Sequence, residues 1–309
     1  MSLMSRNYGL GVDNVIGFDI VLPSGVLARA DACTNPDLFW ALRGGGGGTW
    51  GVVTSVHYKV HPAKNTLQFT IQIQNTISSP DTVYSWIRKW VELSRNLDHR
   101  WGGFWLPSGL GLFFFVGPEK DARITFIDNL EHWRECLPKD EKENVVFQIN
   151  KGKNFWDLRR ILAEVNTGQG NIKFSSRLVP RDYVVNNPEK AVALLKRLLE
   201  ESPPLLYYFL GGKINDVDTN QTAVHPAMRK AVWQVQTFSD EITAFVRDKV
   251  KNTGTGFNHA SVIEPDWRNT LWGKNSKRLK CLKKQLDPEN RLNCWHCVGY
   301  QGNEYSTAN

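Results

Sequence analysis

Five consecutive glycines, Gly44 to Gly48, with Gly51 just after, are the most unusual feature of this 309-residue sequence. Glycine removes the side chain where backbone turns sharply or meets something closely, and glycines next to a strand often mark close approach. The run is therefore a candidate for backbone N–H groups and carbonyls that face a ligand, with a flexible surface loop as the plain alternative. No Gly-Lys-Ser/Thr follows, so it is not a phosphate-binding P-loop. It comes after a helix and before a strand, the reverse of the G-x-G-x-x-G dinucleotide fingerprint. Cys294 and Cys297 form a C-x-x-C pair near the C-terminus. A zinc site needs further ligands, and His296 alone does not supply them. A redox pair normally opens a helix after a strand, whereas this one follows the Asp287-Pro288 turn. Packing or a local disulfide is the expectation, and no metal site is expected.

These residues need elements to hold them. Ile16 to Val21 reads as a strand, Pro23-Ser24-Gly25 as a turn and Val26 to Ala30 as the return strand. Asn35 is positioned to cap a short helix, Leu38 to Arg43, with Pro36 at its first position. Apolar residues alternate from Val52 to Val60, which predicts a buried-looking strand that His61-Pro62 ends. Leu67, Phe69, Ile71 and Ile73 alternate with Gln68, Thr70, Gln72 and Gln74, a strand with one wet face. Ser79-Pro80-Asp81 starts a helix whose Val83, Trp86, Ile87, Trp90 and Val91 share one face. Strands are also expected at Gly102–Leu106, Gly111–Val116, Asn171–Val179 and Leu205–Ile214, and helices near Asp121–Glu135 and Glu189–Glu200. Two short helices close the chain, one from Glu264-Pro265-Asp266 and one over Lys277–Gln285. The mixture predicts an α+β fold with an antiparallel sheet backed by helices.

Bulk composition excludes several classes. Hydrophobic residues are 41% and charged residues 22% of the chain, enough for a sizeable core and too few charges for disorder. The formal charge of +7 is spread along the chain. Its densest basic stretch, Lys274 to Lys284, has helix-like spacing and reads as a solvated helix face, with no nucleic-acid motif beside it. Twelve Trp serve core packing or a pocket for a flat ligand. No apolar run reaches the ~18 residues of a membrane span. Met1 to Leu10 lacks the apolar core of a signal peptide, so localisation stays unassigned. The expected partner is a small-molecule substrate, not nucleic acid or membrane.

Longer strings carry a resemblance. Ser5-Arg6-Asn7-Tyr8-Gly9-Leu10, Asp13-Asn14-Val15, the unbroken Asn35-Pro36-Asp37-Leu38-Phe39-Trp40-Ala41-Leu42-Arg43-Gly44-Gly45-Gly46-Gly47 and Gly51-Val52-Val53-Thr54 come first. Glu264-Pro265-Asp266-Trp267, Trp272-Gly273-Lys274-Asn275, Arg278-Leu279 and Asp287-Pro288 close the chain. Together they resemble the berberine bridge enzyme-like FAD oxidoreductases of the vanillyl-alcohol oxidase superfamily, especially fungal-type members. Leu210-Gly211-Gly212 and Thr222-Ala223-Val224-His225-Pro226 are similar to that family's substrate domain.

The resemblance implies the second half of a PCMH-type FAD-binding domain at residues 5–62, a substrate domain at 63–256 and a segment returning to the FAD domain at 257–309. It implies FAD as cofactor, with Gly51, Val52 and Val53 meeting its adenine end, and Asp13 and Asn14 as weaker candidates that a buried turn would equally explain. In Gly256-Phe257-Asn258-His259, Asn258 matches the flavin-side Asn and His259 takes the place of the catalytic base, often a Tyr in this family. His can accept a proton near neutral pH. His225 is a candidate substrate-pocket residue, with a purely structural role as the alternative. The sequence departs from the family in lacking the first half of the FAD domain, which carries the pyrophosphate loop and the residues that tether FAD covalently. An N-terminally truncated form is the expectation, without covalent flavin. The function implied is oxidation of a small alcohol, sugar or natural product. A flavin-free remnant and a non-redox acid–base catalyst are the alternatives.

Overall fold

The computed structural model describes residues 2–74, 78–106, 109–158, 175–201, 206–251, 253–261 and 263–302. Two sheets organise it. The first joins β1 (Val15–Val21), β2 (Leu27–Asp31) and β3 (Val52–Tyr58) in the order β2-β1-β3, all antiparallel. The second has seven antiparallel strands: β4 (Thr66–Ile73), β5 (Trp101–Trp105), β6 (Leu110–Val116), β7 (Val145–Gly152), β8 (Ser175–Pro180), β9 (Leu206–Phe209) and β10 (Ala231–Thr237). Their order is β7-β4-β6-β5-β9-β10-β8.

Period-two sequence makes the large sheet two-faced. Phe69, Ile71, Trp105, Phe113, Phe209, Trp233 and Val235 point to one side, where helices cover them. The Pro80–Arg95 helix brings Trp86, Ile87, Trp90 and Val91 to this core. Ser79 caps it by accepting from the Thr82 N–H, as its Ser-Pro-Asp start predicts. Pro188–Glu201 and Asp240–Lys249 add their own apolar faces. Trp90 stacks on Phe209 with 4.3 Å between centroids, so the tryptophans mainly pack core. The fold is α+β, an antiparallel sheet backed by helices.

A second core joins chain ends far apart in sequence. Phe18, Ile20, Phe39, Trp40 and Trp50 pack with Trp267, Leu271, Trp272, Leu279 and Val298. Buried ion pairs tie this half to the large sheet. Arg229 holds Asp13 through two bonds of 2.7 and 2.6 Å. Arg177 of β8 donates to both Glu264 oxygens at 2.6 Å. Arg6 is buried and donates to the backbone oxygens of Trp101, Leu97 and Leu210. Losing water lowers its pKa to about 10, so it stays charged at neutral pH.

Several expectations change. Asn35 precedes the Pro36–Leu42 helix but sits at φ 47° with no side-chain cap; its amide donates instead to the Arg29 carbonyl. The strand at Val52 is an exposed sheet edge, because only β1 pairs with it among the described residues. Gln68, expected on the wet face, is 1% exposed. The strand expected over Leu205–Ile214 ends at Phe209, where Gly211 and Gly212 take positive φ and turn the chain into a short 3-10 helix. The helix near Asp121–Glu135 is interrupted by a π-helical stretch, Arg123–Ile127. Lys283, in the stretch read as a solvated face, is buried and donates to Asp287, Thr49 O and Leu292 O. The first residues of the strand expected over 171–179, and Leu205, lie outside the described residues.

Candidate active site

The second face of the large sheet carries one row across β6, β5, β9, β10 and β8: Leu112, Phe104, Tyr208, Gln234 and Leu178 are successive cross-strand partners. The segment after the Asp240–Lys249 helix runs beside β8, with Leu178 N–H donating to Gly254 O at 3.0 Å. Gly256 follows, and a Cβ there would stand 2.9 Å from the Gln234 amide nitrogen. A side chain there would displace the Gln234 amide, and the chain comes close enough for a 3-10 turn, Phe257–His259, to lay His259 against the row.

His259 is fixed from two sides. The Gln234 amide lies 3.1 Å from its Nδ1. The Tyr208 ring is nearly parallel to the imidazole, at 6.2 Å between centroids and 19°. Gln234 Nε2 also donates to Ser176 Oγ at 3.0 Å, and Ser176 hydrogen-bonds Thr255 Oγ1. Gln234, Ser176 and Thr255 are buried, so the network is shielded from water and strengthened accordingly. Burial pushes the His259 pKa below the ordinary 6.5, which keeps the ring neutral at pH 7. The Gln234 amide decides its tautomer. Its nitrogen end donates to Nδ1 and leaves the ring proton on Nε2; its oxygen end accepts from Nδ1–H and makes Nε2 the base. Gln236, two residues along the same face of β10, keeps a buried Oε1 without a partner among the described residues.

A groove of about 290 Å³ opens at the other side of this turn, lined by Gly44, Gly46, Gly47, Gly48, Val53 and Phe257, among others. Gly46 has φ 92°, and a Cβ there would meet the Phe257 ring at 2.8 Å. The run thus makes one wall of a groove whose opposite wall leads directly to Asn258 and His259. Pockets for single ligands begin near ~300 Å³, so the groove suits one flat ring system and not a whole dinucleotide.

The other expected residues are placed as follows. Gly51 borders the groove, but its close backbone approach is to β1: a Cβ would lie 2.3 Å from Val21 O. Val52 is 65% and Val53 39% exposed. Asn258 is exposed in the 3-10 turn. Asp13 and Asn14 sit in a turn with other duties. Asp13 pairs with Arg229, and Asn14 donates to Tyr8 O and Leu10 O and pairs with His61 at 2.6 Å. They hold the entry to β1 and do not line the groove. His225 is buried between Gly254 and Gly273, and its Nδ1 accepts from Ala227 N–H at 3.0 Å. It borders a separate pocket of about 360 Å³ with Lys230, Lys251 and Lys274. Burial lowers its pKa to about 4. Sequence reasoning missed Tyr208, Gln234, Ser176 and Thr255. The alternation of Gln234 and Gln236 with Trp233 and Val235 was the available signal.

Solved structures share this fold at low identity. The VAO-type flavoprotein MtVAO615 from Myceliophthora thermophila C1 superposes with a TM-score of 0.83 at 19% identity, over 96% of this chain and 59% of the other. Glucooligosaccharide oxidase from Acremonium strictum gives 0.78 at 17%, over 98% and 70%. The architecture is that of VAO-type flavoproteins. Residues 257–296 match the family model described as "Berberine and berberine like". An uncharacterized FAD-linked oxidoreductase of Arthroderma benhamiae is 30% identical over 97% of this chain and 56% of its own length. These matches relate the chain to the berberine bridge enzyme-like FAD-linked oxidoreductases. It spans about half the length of the curated relatives it matches. Among the described residues, no helix is long and apolar enough to cross a membrane, and no cluster of three or more His, Cys, Asp or Glu could hold a metal.

Proposed function

We propose that this chain carries the substrate-facing half of an FAD-linked oxidase site, with His259 as the acid–base group, acting on a small alcohol, sugar or natural product. The observation that carries the reading is the shielded Gln234–His259 contact on the turn that also walls the glycine groove. Bound FAD would supply hydride acceptance. The chain's own part is narrower. Gly44 to Gly48, Gly51, Val52, Val53 and Asn258 would border the cofactor. His259 would act as the acid–base group toward the substrate hydroxyl, with the Gln234 amide at its Nδ1 setting the tautomer. Tyr208, Phe104 and Leu112 would form the apolar roof that keeps water from the reacting carbon. Glucooligosaccharide oxidase and chitooligosaccharide oxidase, which share this fold, support an alcohol-bearing substrate class.

The test has two stages. Added FAD is first titrated against the purified chain, alone and with the polypeptide that completes the length of its relatives; uptake by neither overturns the reading. Anaerobic flavin bleaching then compares parent, His259→Ala and His259→Gln. Both variants should slow reduction by about 10²–10⁴-fold, the range for losing a general base, and leave FAD uptake unchanged. The parental rate should rise with pH through a midpoint below the ordinary histidine value of 6.5, since only neutral His259 accepts a proton. Parental rates in His259→Ala would reduce it to a pocket wall.

A further inference from the structure

Cys294 and Cys297 are joined as a disulfide, and nothing in the proposed oxidation uses them. Their surroundings differ sharply. Cys294 is exposed, whereas Cys297 is 0% exposed. An incoming thiolate can therefore reach one sulfur and not the other. The pair also rests on the glycine loop: a Cβ at Gly48 would stand 3.2 Å from Cys294 Sγ and 3.4 Å from Cys297 Sγ. Gly48 lines the 290 Å³ groove. Next to it, Thr49 O accepts from buried Lys283, which also bonds Leu292 O at the start of the cysteine segment. The loop is thus backed at two adjacent residues, Gly48 by the disulfide and Thr49 by Lys283, whose ammonium also bonds Leu292 O two residues before Cys294.

We propose that Cys294–Cys297 is a thiol-exchangeable brace that sets the order of the glycine loop, and through it the groove. A small thiolate, of the glutathione class, attacks Cys294 Sγ. The Cys294–Cys297 bond breaks, a mixed disulfide forms at Cys294, and Cys297 leaves as thiolate. A second thiolate attacks the mixed disulfide on its small-thiol sulfur. This releases the oxidised small disulfide and Cys294 thiolate, and both protein thiolates take protons from water. Two electrons pass from two thiols to the protein, and no flavin takes part. The pair does not open a helix, so no aligned N–H groups favour the thiolates. Exchange then tracks the thiol poise of the surroundings and is not a fast catalytic cycle. The reduced segment gains freedom at Gly48, and the loop opens locally more often.

The test uses the full chain with the exposed Cys33, Cys136 and Cys281 changed to Ser. Native protein is incubated with glutathione across a range of reduced-to-oxidised ratios and read by intact mass and peptide mapping. Cys297→Ser should carry the glutathione adduct on Cys294, and Cys294→Ser should leave Cys297 unmodified. Hydrogen exchange over residues 44–51 should quicken by about tenfold, one local-opening step of ~1.4 kcal/mol, when the parent is reduced. Cys294→Ser/Cys297→Ser should show the faster exchange without reductant. An adduct on Cys297 in the native state, resistance to exchange in folded protein, or unchanged protection of 44–51 after reduction overturns the proposal. Melting curves of both redox forms separate a local effect from global unfolding: a reduced form that no longer melts cooperatively also overturns it.

Discussion

His225 should make this protein acid-sensitive in a pH range where ordinary carboxylates are still charged. The ring is buried, and its Nδ1 caps the Pro226–Arg229 turn by accepting from Ala227 N–H. Burial is the main cause of its low pKa of about 4, aided by the charge of Arg177 and opposed by the Asn269 backbone. Protonation would put a charge in a buried site near Arg177 and remove the cap. In the unfolded chain the group titrates near 6.5. The depressed folded value means that the neutral ring's stability contribution is complete above 6.5 and declines as pH falls toward 4, because the unfolded chain binds the proton first. Each pH unit is worth about 1.4 kcal/mol, so roughly 3 kcal/mol is lost across the interval. Urea unfolding at half-unit steps from pH 7.5 to 4 measures it. His225→Asn keeps an acceptor at the cap but cannot titrate, so its stability should fall less than the parent's by about that amount. If parent and variant decline in parallel, or if NMR titration of the His225 ring gives a midpoint between 6 and 7, the reasoning fails.

Gly46→Val places a branched side chain at φ 92° against the Phe257 ring; we expect a loss of about 1–3 kcal/mol and weaker ligand uptake in the groove, and an unchanged Tm refutes the tight-approach argument. Glu264→Gln leaves Arg177 buried without its carboxylate partner, and should cost about 3–5 kcal/mol in urea unfolding; a loss below ~1 kcal/mol refutes the argument that this pair is buried and structurally required. Gln234→Glu gives His259 Nδ1–H a carboxylate partner and should raise the pH midpoint of flavin reduction by about one unit, whereas a structural Gln234 would alter Tm and leave the midpoint in place.

What the sequence displayed depended on how local its cause was. The Pro80–Arg95 helix was readable because its cap and its Trp86, Trp90 and Val91 stripe lie within one window. β7 and β10 were overlooked, although Val145–Gly152 and Ala231–Thr237 alternate. In both, glutamine, asparagine or lysine interrupts the apolar run, and burial comes from neighbouring strands that the window does not contain. The same holds for the site. His259 was visible as a residue of the right type, but Gln234 lies 25 positions earlier, and only β10 pairing with β9 and β8 brings it beneath the ring. Lys283 looked like one of many surface lysines until Thr49, Asp287 and Leu292 converged on its ammonium.

The glycine run shows the same limit from the other direction. A loop of this kind was read as either ligand-facing or loose, and the structure adds a third cause. Gly44 has φ 125°, and a Cβ would come 2.3 Å from Val224 N; Gly46 meets Phe257 and Gly48 the disulfide. These neighbours come from residue 224 and from the C-terminal segment, so most of the run is spent on letting distant chain approach. The groove is what remains between the loop and Phe257 once those contacts are made. A ligand there would feel the packing of this C-terminal segment on the loop, because Phe257 stands against Gly46 and the cysteine pair against Gly48. Chemistry at His259 and order at Gly48 are therefore two readouts of one C-terminal segment, which is why substitutions at Glu264, away from the groove, or at Lys283, which holds Thr49 beside it, should alter ligand uptake as well as stability.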